Sequence, residues 1–266
     1  MIPPTSIDGT DITGATIDGT DVQEITVDGD VVFQSIVISN LVDIRFPMDE
    51  GSGTTLNDQF SSNTASLING AGYDTKATAT GGFRTSYDDT QNQYWISDTK
   101  LPVNETDMTL LMWFEWDGTQ TARFWSPIFM SPTNPTRTLA DGGWSIVYDD
   151  ASNGLYIDHR SGGNYTGGTS AGFDYLLDVD EAYFLAWTLS GDSSTYRVYE
   201  NSGGLTKDYE ESHTSTRGQQ GTDFFLGGNH GPGTQHFGGF IDDVMVNTTT
   251  ALTEQEIIDI GNETLR

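Results

Sequence analysis

The chain has 266 residues, 39 of them acidic and 11 basic, and its formal net charge at pH 7 is −28. This charge argues against nucleic acid as a partner, because contacts to phosphate need lysine and arginine. The absence of cysteine excludes disulfides and cysteine-ligated metals. No apolar run reaches the roughly 18 residues of a membrane-spanning helix, so membrane insertion is not expected.

The acidic composition also bears on the environment in which the chain works. Aspartate outnumbers glutamate, and Lys76, Lys100 and Lys207 are the only lysines. Like charges at this density strain a compact fold at low ionic strength. In molar salt the Debye length falls to about 3 Å and the repulsion is largely screened. We therefore predict a halophilic protein; an acidic secreted protein and a calcium-loaded acidic chain are the alternatives.

A short unit recurs three times near the N terminus with a spacing of ten residues. Each unit combines a β-branched residue with an Asp-Gly pair, which favours a tight hairpin because both residues tolerate positive φ. Three such units bury too little apolar surface to be stable alone. We interpret residues 1–36 as a β-repeat module for attachment or oligomerisation, rather than a flexible leader, and residues 37–266 as a β-sandwich domain. The units are Ile7-Asp8-Gly9-Thr10, Ile17-Asp18-Gly19-Thr20 and Val27-Asp28-Gly29-Asp30.

From Leu41 onward, short apolar or alternating runs are separated by turns rich in Gly, Asn, Asp and Ser. This pattern predicts an all-β fold, a two-sheet antiparallel sandwich. A single short helix is predicted after Thr253, because Glu256 three residues later completes a capping box. The predicted strands are 41–48, 108–117, 144–149, 154–158, 182–190, 195–200, 223–227 and 237–247.

Several of these segments carry a family resemblance. Residues 41–46 with 49–54 resemble the opening strand and turn of concanavalin A-like and laminin-G-like jelly-roll domains, and 108–114 resembles their central strand. The most specific similarity is 237–244 leading into 252–257, as the family's last strand leads into its closing helix. The resemblance covers about 40–266 and implies a jelly roll, but it does not specify a ligand.

The N-terminal segment has a second resemblance, since residues 18–32 are similar to phrases in tail and surface proteins of tailed viruses that infect haloarchaea. It implies a virion surface protein, either a tail fibre or a capsid spike, assembled in the host cytoplasm and extracellular after release. The start of the chain has no basic or apolar stretch, so no secretory signal is expected.

On this interpretation, the repeat module contacts other virion proteins in a homo-oligomer, and the sandwich binds a host cell-surface glycan or glycoprotein. The alternatives are a cellular or exported glycan-binding adhesin, a purely structural decoration protein, and a divergent glycoside hydrolase.

Glycoside hydrolysis is a candidate activity because some enzymes that this fold resembles carry a Glu-x-Asp-x-(x)-Glu strand. Glu115-Trp116-Asp117 begins such a pattern, but Thr119 and Gln120 stand where the second glutamate is required. A retaining mechanism needs two carboxyl groups about 5–5.5 Å apart. We therefore predict that the chain is not an enzyme and has no catalytic residues.

Strand alternation divides residues 110–117 between two faces. Leu110, Met112, Phe114 and Trp116 are predicted to lie in the core, and Trp113 with Glu115 on the opposite face, where an aromatic ring beside an acceptor suits a saccharide. The alternative is that Trp113 is buried under a loop. Two tyrosines, one of them in a glycine-rich stretch interpreted as a loop, complete the predicted ligand-binding set: Trp113, Glu115, Tyr165 and Tyr175.

The family resemblance further implies one structural calcium ion that ties the opening turn to the last strand. The candidate ligands are four aspartates, whose oxygens suit calcium; ordinary solvated acids are the alternative. His230 and His236 lie in a glycine-rich loop and are interpreted as loop polarity, because two histidines alone rarely form a zinc site. The calcium candidates are Asp49, Asp58, Asp242 and Asp243.

The charge balance makes stability dependent on salt. The midpoint of thermal unfolding should rise steeply between about 0.1 and about 3 M KCl, and equally in NaCl, because screening removes the repulsion among the acids. An equal osmolality of sucrose, which does not screen charge, is the control. A midpoint that is unchanged or lower at high salt contradicts the halophilic interpretation.

Overall fold

The computed structural model describes the side chains of part of the chain and, for further strands, the backbone. The side chains described are those of 38–73, 93, 107–118, 177–201, 204–210, 212, 227 and 237–264. The strands described by their backbone lie mainly in the N-terminal repeats and the second sheet.

The N-terminal repeats form three antiparallel hairpins, each a separate two-stranded sheet. Their turn-flanking pairs are Ile7 with Thr10, Ile17 with Thr20, and Val27 with Asp30, so each hairpin encloses one Asp-Gly dipeptide. The predicted hairpins are therefore confirmed, whereas the division at residue 36 and the role of the module stay predictions. The strands are β1 (Ser6–Ile7), β2 (Thr10–Asp11), β3 (Thr16–Ile17), β4 (Thr20–Asp21), β5 (Glu24–Val27) and β6 (Asp30–Gln34).

The first large sheet has eight antiparallel strands. Its order is β10 (Gly72–Asp74), β11 (Arg84–Tyr87), β22 (Gly239–Asn247), β13 (Asp107–Trp116), β18 (Ala182–Ser190), β19 (Ser193–Asn201) and β20 (Leu205–Thr214), and β7 (Ile44–Phe46) also pairs with β22.

The second large sheet also has eight antiparallel strands, and with the first it forms the predicted jelly-roll sandwich. Its order is β17 (Asn164–Tyr165), β16 (Gly154–Ser161), β15 (Gly142–Asp149), β14 (Ser126–Pro132), β21 (Phe225–Leu226), β12 (Tyr94–Ser97), β9 (Thr64–Ile68) and β8 (Thr55–Asn57).

The central strands of the first sheet, β13, β18 and β22, are buried on both faces. One face contributes Leu110, Met112 and Phe114 to a core that also holds Leu67 of β9, so this core lies between the sheets. Leu111 and Trp113 alternate with those residues and belong to a second core on the outer face. Strands buried on both faces are expected to be continuously apolar, as the run from Met108 to Phe114 is.

A helix, α1 (Glu254–Glu263), supplies the other half of the second core through Ile257 and Ile260. It begins with the predicted capping box: the Thr253 hydroxyl accepts from the Glu256 N–H, and the Glu256 carboxylate accepts from the Thr253 N–H at 2.7 Å. Within the described residues, no helix has both the length and the apolar character needed to cross a membrane.

A β-bulge interrupts the pairing of β13 with β22. Leu111 pairs with Met245 and Trp113 with Asp242, so β22 contains one residue more than β13 in this interval. Asp243 accommodates the bulge with a φ of 47°, a left-handed conformation that aspartate tolerates better than most residues. The bulge allows Ile241 and Val244, three positions apart, to share the core between the sheets.

Helix docking requires a residue without a side chain at position 261. A Cβ atom at Gly261 would overlap Leu205 Cδ1 and lie 2.9 Å from ring atoms of Phe184. In an exposed helix, Gly→Ala stabilises by up to about 1 kcal/mol. We predict the opposite sign for Gly261→Ala, a destabilisation of about 1–3 kcal/mol by overpacking, measured by chemical unfolding.

The exposed Glu263 of the same helix provides the matched control. Glu263→Ala should leave the free energy of unfolding within about 0.5 kcal/mol of the original. If Gly261→Ala stabilises the protein, the close approach of helix and sheet described above is wrong.

Candidate functional site

Trp113, the first predicted ligand-binding residue, is buried beneath α1 and the residue that follows it. Its relative exposure is 1%, its indole N–H donates to the Thr264 hydroxyl at 3.0 Å, and its ring centroid lies 5.1 Å from that of Phe184. The strand alternation was predicted correctly, but the opposite face is a second core. The expectation that Trp113 forms an exposed platform is therefore wrong.

Glu115 is also buried, with a relative exposure of 5%. It pairs with Ala182 on one side and Phe240 on the other. Next to it, Gly239 has a φ of 136° and lies so close that a Cβ atom there would overlap the Glu115 carbonyl oxygen. The packing of three strands encloses this carboxylate, so the prediction that it accepts hydrogen bonds from a ligand at an open face is wrong.

Asp58, a predicted calcium ligand, organises its own loop. Its Oδ1 accepts from the backbone N–H of Arg45 and of Phe60, both at 3.0 Å. Its Oδ2 accepts from the hydroxyl of Ser61 and from Asn63 Nδ2. The carboxylate thus accepts from three donors of its own loop and ties the loop to β7 through a fourth, the Arg45 N–H.

Asp243, another predicted calcium ligand, forms a bidentate ion pair with Arg45. Nε lies 2.6 Å from Oδ1 and a terminal guanidinium nitrogen 2.8 Å from Oδ2. Burial by itself lowers the pKa of Arg45, but the hydrogen bond and charge of Asp243, with the charges of Asp49 and Asp242, outweigh it and raise that pKa above its ordinary value. The cation that neutralises the Asp243 carboxylate is therefore the guanidinium of Arg45.

Two of the four aspartates, Asp58 and Asp243, are engaged by protein donors, which argues against the expected calcium site. Among the residues whose placement is described, no group of three or more His, Asp or Glu is arranged to hold a metal ion. Both oxygens of Asp243 and both of Asp58 already accept hydrogen bonds from protein donors.

The second sheet has an outer face that the register defines. In β9, Ala65 and Leu67 are buried in the core between the sheets, whereas Ser66 between them is half-buried and belongs to the opposite face. Directly paired residues share a face. The cross-strand row that contains Ser66 continues through Ile96, Phe225, Met130, Ser145 and Asp158.

The neighbouring positions on β16 extend this outer face. Tyr156 and Arg160 lie two residues either side of Asp158 and therefore share its face, and Arg160 pairs with Tyr165 of β17. Tyr165, a predicted ligand-binding residue, thus lies in an edge strand rather than in a loop, on the outer face of the second sheet. Tyr175 lies outside the described residues. We call Tyr156, Asp158, Arg160 and Tyr165 the outer-face cluster; it is placed by register alone.

Sequence reasoning did not identify Tyr156, Asp158 or Arg160. Part of the signal is present, since the predicted strand 154–158 places Tyr156 and Asp158 on one face, whereas the observed strand continues to Ser161 and adds Arg160 to that face. Which face of β16 lies outward follows from the successive strand pairings that lead from β16 to β9. In β9 the side chains of Ala65 and Leu67 face the core.

Because Trp113 supports the second core, we predict that Trp113→Ala destabilises the protein by about 3–5 kcal/mol. Trp113→Phe retains most of the ring and loses the hydrogen bond to Thr264, which should cost about 1 kcal/mol beyond the loss of ring area. Chemical unfolding measures both changes, with the half-buried Phe240→Ala as the control. A Trp113→Ala variant of unchanged stability contradicts this placement.

Solved structures with the same fold are found at low sequence identity. Domain 4 of AbnA, a GH43 extracellular arabinanase from Geobacillus stearothermophilus solved in complex with arabinotriose, matches over 82% of this chain and 97% of that chain, with a TM-score of 0.57 and 14% identity. A structure of botulinum neurotoxin type C, whose cell entry depends on interaction with two ganglioside molecules, matches over 86% of this chain and 53% of that chain, with a TM-score of 0.56 and 14% identity.

A mutant of Trypanosoma rangeli sialidase displaying trans-sialidase activity matches over 84% of this chain and 33% of that chain, with a TM-score of 0.55 and 13% identity. The chain therefore spans about half of the neurotoxin structure and a third of the sialidase. At these identities the likeness shows the fold alone.

No curated protein matches the chain significantly in sequence. Residues 88–258, more than half of the chain, match the sequence profile of the laminin-G type in the concanavalin A-like lectin/glucanases superfamily. The two-sheet jelly roll and its closing helix agree with this match, and the chain belongs to the concanavalin A-like lectin/glucanases superfamily.

Proposed function

We propose that the chain binds glycans on the outer face of the second sheet. The observation that carries the proposal is the outer-face cluster, in which the register brings two tyrosines, an aspartate and an arginine into adjacent positions. Aromatic rings stack on the C–H faces of sugars, while carboxylate and guanidinium groups hydrogen-bond to hydroxyls. The first sheet offers no comparable surface at Trp113 and Glu115, because α1 and neighbouring strands cover them.

The similar structures are consistent with this class of ligand. The arabinanase domain was solved with arabinotriose, and the neurotoxin interacts with gangliosides. A shared fold does not specify a ligand, so the glycan is proposed here from the residues of the outer-face cluster.

We place the protein on the surface of a virion, as the tail fibre or capsid spike of a virus of halophilic archaea. The net charge of −28 supports a saline habitat. The three N-terminal hairpins support an attachment element, because each is too small to be stable alone. In this arrangement the hairpins contact other virion proteins in a homo-oligomer, and the sandwich contacts a host cell-surface glycan or glycoprotein.

The proposal is tested by removing the cluster one side chain at a time. Tyr156→Ala, Arg160→Ala and Tyr165→Ala should each weaken binding to a glycan array, or adsorption to haloarchaeal cells, measured in molar KCl. A central aromatic anchor contributes about 2 kcal/mol, so we expect roughly 30-fold weaker binding for the most central residue.

Lys207→Ala is the matched control, since Lys207 is a partly exposed cation on an edge strand of the first sheet. It should leave glycan binding unchanged, and thermal unfolding should show that all variants fold. If a variant that combines all three substitutions binds glycans and cells as the original does, the outer-face cluster is not the site. If the original protein binds no glycan at all, a purely structural decoration protein is the better interpretation.

A further inference from the structure

Arg45 joins three separate parts of the sandwich. Its guanidinium binds both carboxylate oxygens of Asp243 in the last strand, at 2.6 and 2.8 Å. Its backbone N–H donates to Asp58, and its carbonyl accepts from the Gln59 N–H at 2.7 Å. Its backbone also pairs with Met245. Arg45 therefore lies at the centre of a junction between β7, the 58–63 loop and β22.

The junction concentrates negative charge around the guanidinium of Arg45. The side chain of Asp243 is 0% exposed, and Asp242 is buried at 3% exposure. Asp49 and Asp242 are both near enough to stabilise the charged form of Arg45. Asp243 lies in the bulge with a left-handed backbone, and its carboxylate is held by two hydrogen bonds from the Arg45 guanidinium.

A carboxylate enclosed in this way needs a cation. Removing one partner of a buried ion pair is strongly destabilising because the remaining charge is left uncompensated. Calcium is bound by carboxylate oxygens, backbone carbonyls and water in flexible geometry. The oxygens of Asp243, with Asp49 and Asp242 nearby, are donors of that kind once the guanidinium is removed.

We propose that Arg45 is the built-in cation of this junction and does there what a structural calcium ion would otherwise do. The junction is consequently independent of calcium in the natural sequence, and it becomes a divalent-cation site when Arg45 is replaced by a small neutral residue. This inference is independent of the proposed glycan-binding function.

The test compares thermal unfolding of the full chain in CaCl₂ and in EDTA, at one fixed high KCl concentration. The original protein should have the same midpoint in both. Arg45→Ser should lower the midpoint in EDTA by roughly 10 °C, the shift expected for breaking a buried pair in a protein of this size. Millimolar CaCl₂ should restore at least half of that loss, saturably, whereas MgCl₂, which demands stricter octahedral geometry, should restore less.

Two further variants separate the cation site from general effects of charge. Arg197→Ser removes an arginine from the same sheet whose partner, Glu210, is 39% exposed; it should cost little and gain nothing from calcium. The double variant Arg45→Met with Asp243→Asn leaves a neutral junction, and its midpoint should be the same with and without calcium.

Chelation that lowers the midpoint of the original protein but not that of the neutral double variant would overturn the inference, because the junction would then hold a metal ion beside Arg45. An Arg45→Ser variant that folds but does not respond to calcium would overturn it as well. If Arg45→Ser folds only when calcium is present during refolding, the inference is supported. If it folds under neither condition while the neutral double variant folds, the charged Asp243 requires the guanidinium and calcium does not replace it, so the proposed exchange of cations is wrong.

Discussion

The fold depends on the burial of the first sheet between two apolar layers. The layer between the sheets would hold a simple sandwich together, but the outer face of the same sheet carries Trp113, Phe184 and Tyr199, which need their own cover. Helix α1 provides it through Ile257 and Ile260, and it approaches closely because position 261 is a glycine. Strands that are apolar on both faces follow from this arrangement, since neither face is left to water.

Charge is distributed unevenly between this buried layer and the surface. Each lysine and arginine side chain that the structure describes is paired with an acid: Arg45 with Asp243, Arg197 with Glu210, and Lys207 with Glu210 and Glu254. The pairs of Arg197 and Lys207 are exposed to salt and contribute little to stability at high ionic strength. The pair at Asp243 is enclosed, so its strength is much less sensitive to salt. Salt can therefore screen the repulsion among the surface acids without weakening the ion pair between β7 and β22.

The outer faces of the two sheets differ in composition and cover. The outer face of the first sheet is a structural core around Trp113 and Glu115, and a ligand there would have to displace α1. The outer face of the second sheet combines Tyr156, Asp158 and Arg160 with Tyr165 on an edge strand. Rigid strands hold such groups in fixed relative positions, which favours selective recognition of a ligand over loose contact.

The sequence alone determined the features that depend on local patterns. The Asp-Gly hairpins, the helix after Thr253 and the strand Ala182–Ser190 all follow from turn chemistry, capping or periodicity within a few residues. The tertiary structure decided the rest. Leu205–Thr214 forms an edge strand although its residues are mostly polar, because β19 pairs with it. Alternation placed Trp113 opposite the main core, but the cover over it comes from a helix about 140 residues later. The pairing of Arg45 with Asp243 spans 198 positions. No local sequence pattern predicts this contact, because it forms only when β7 pairs with β22.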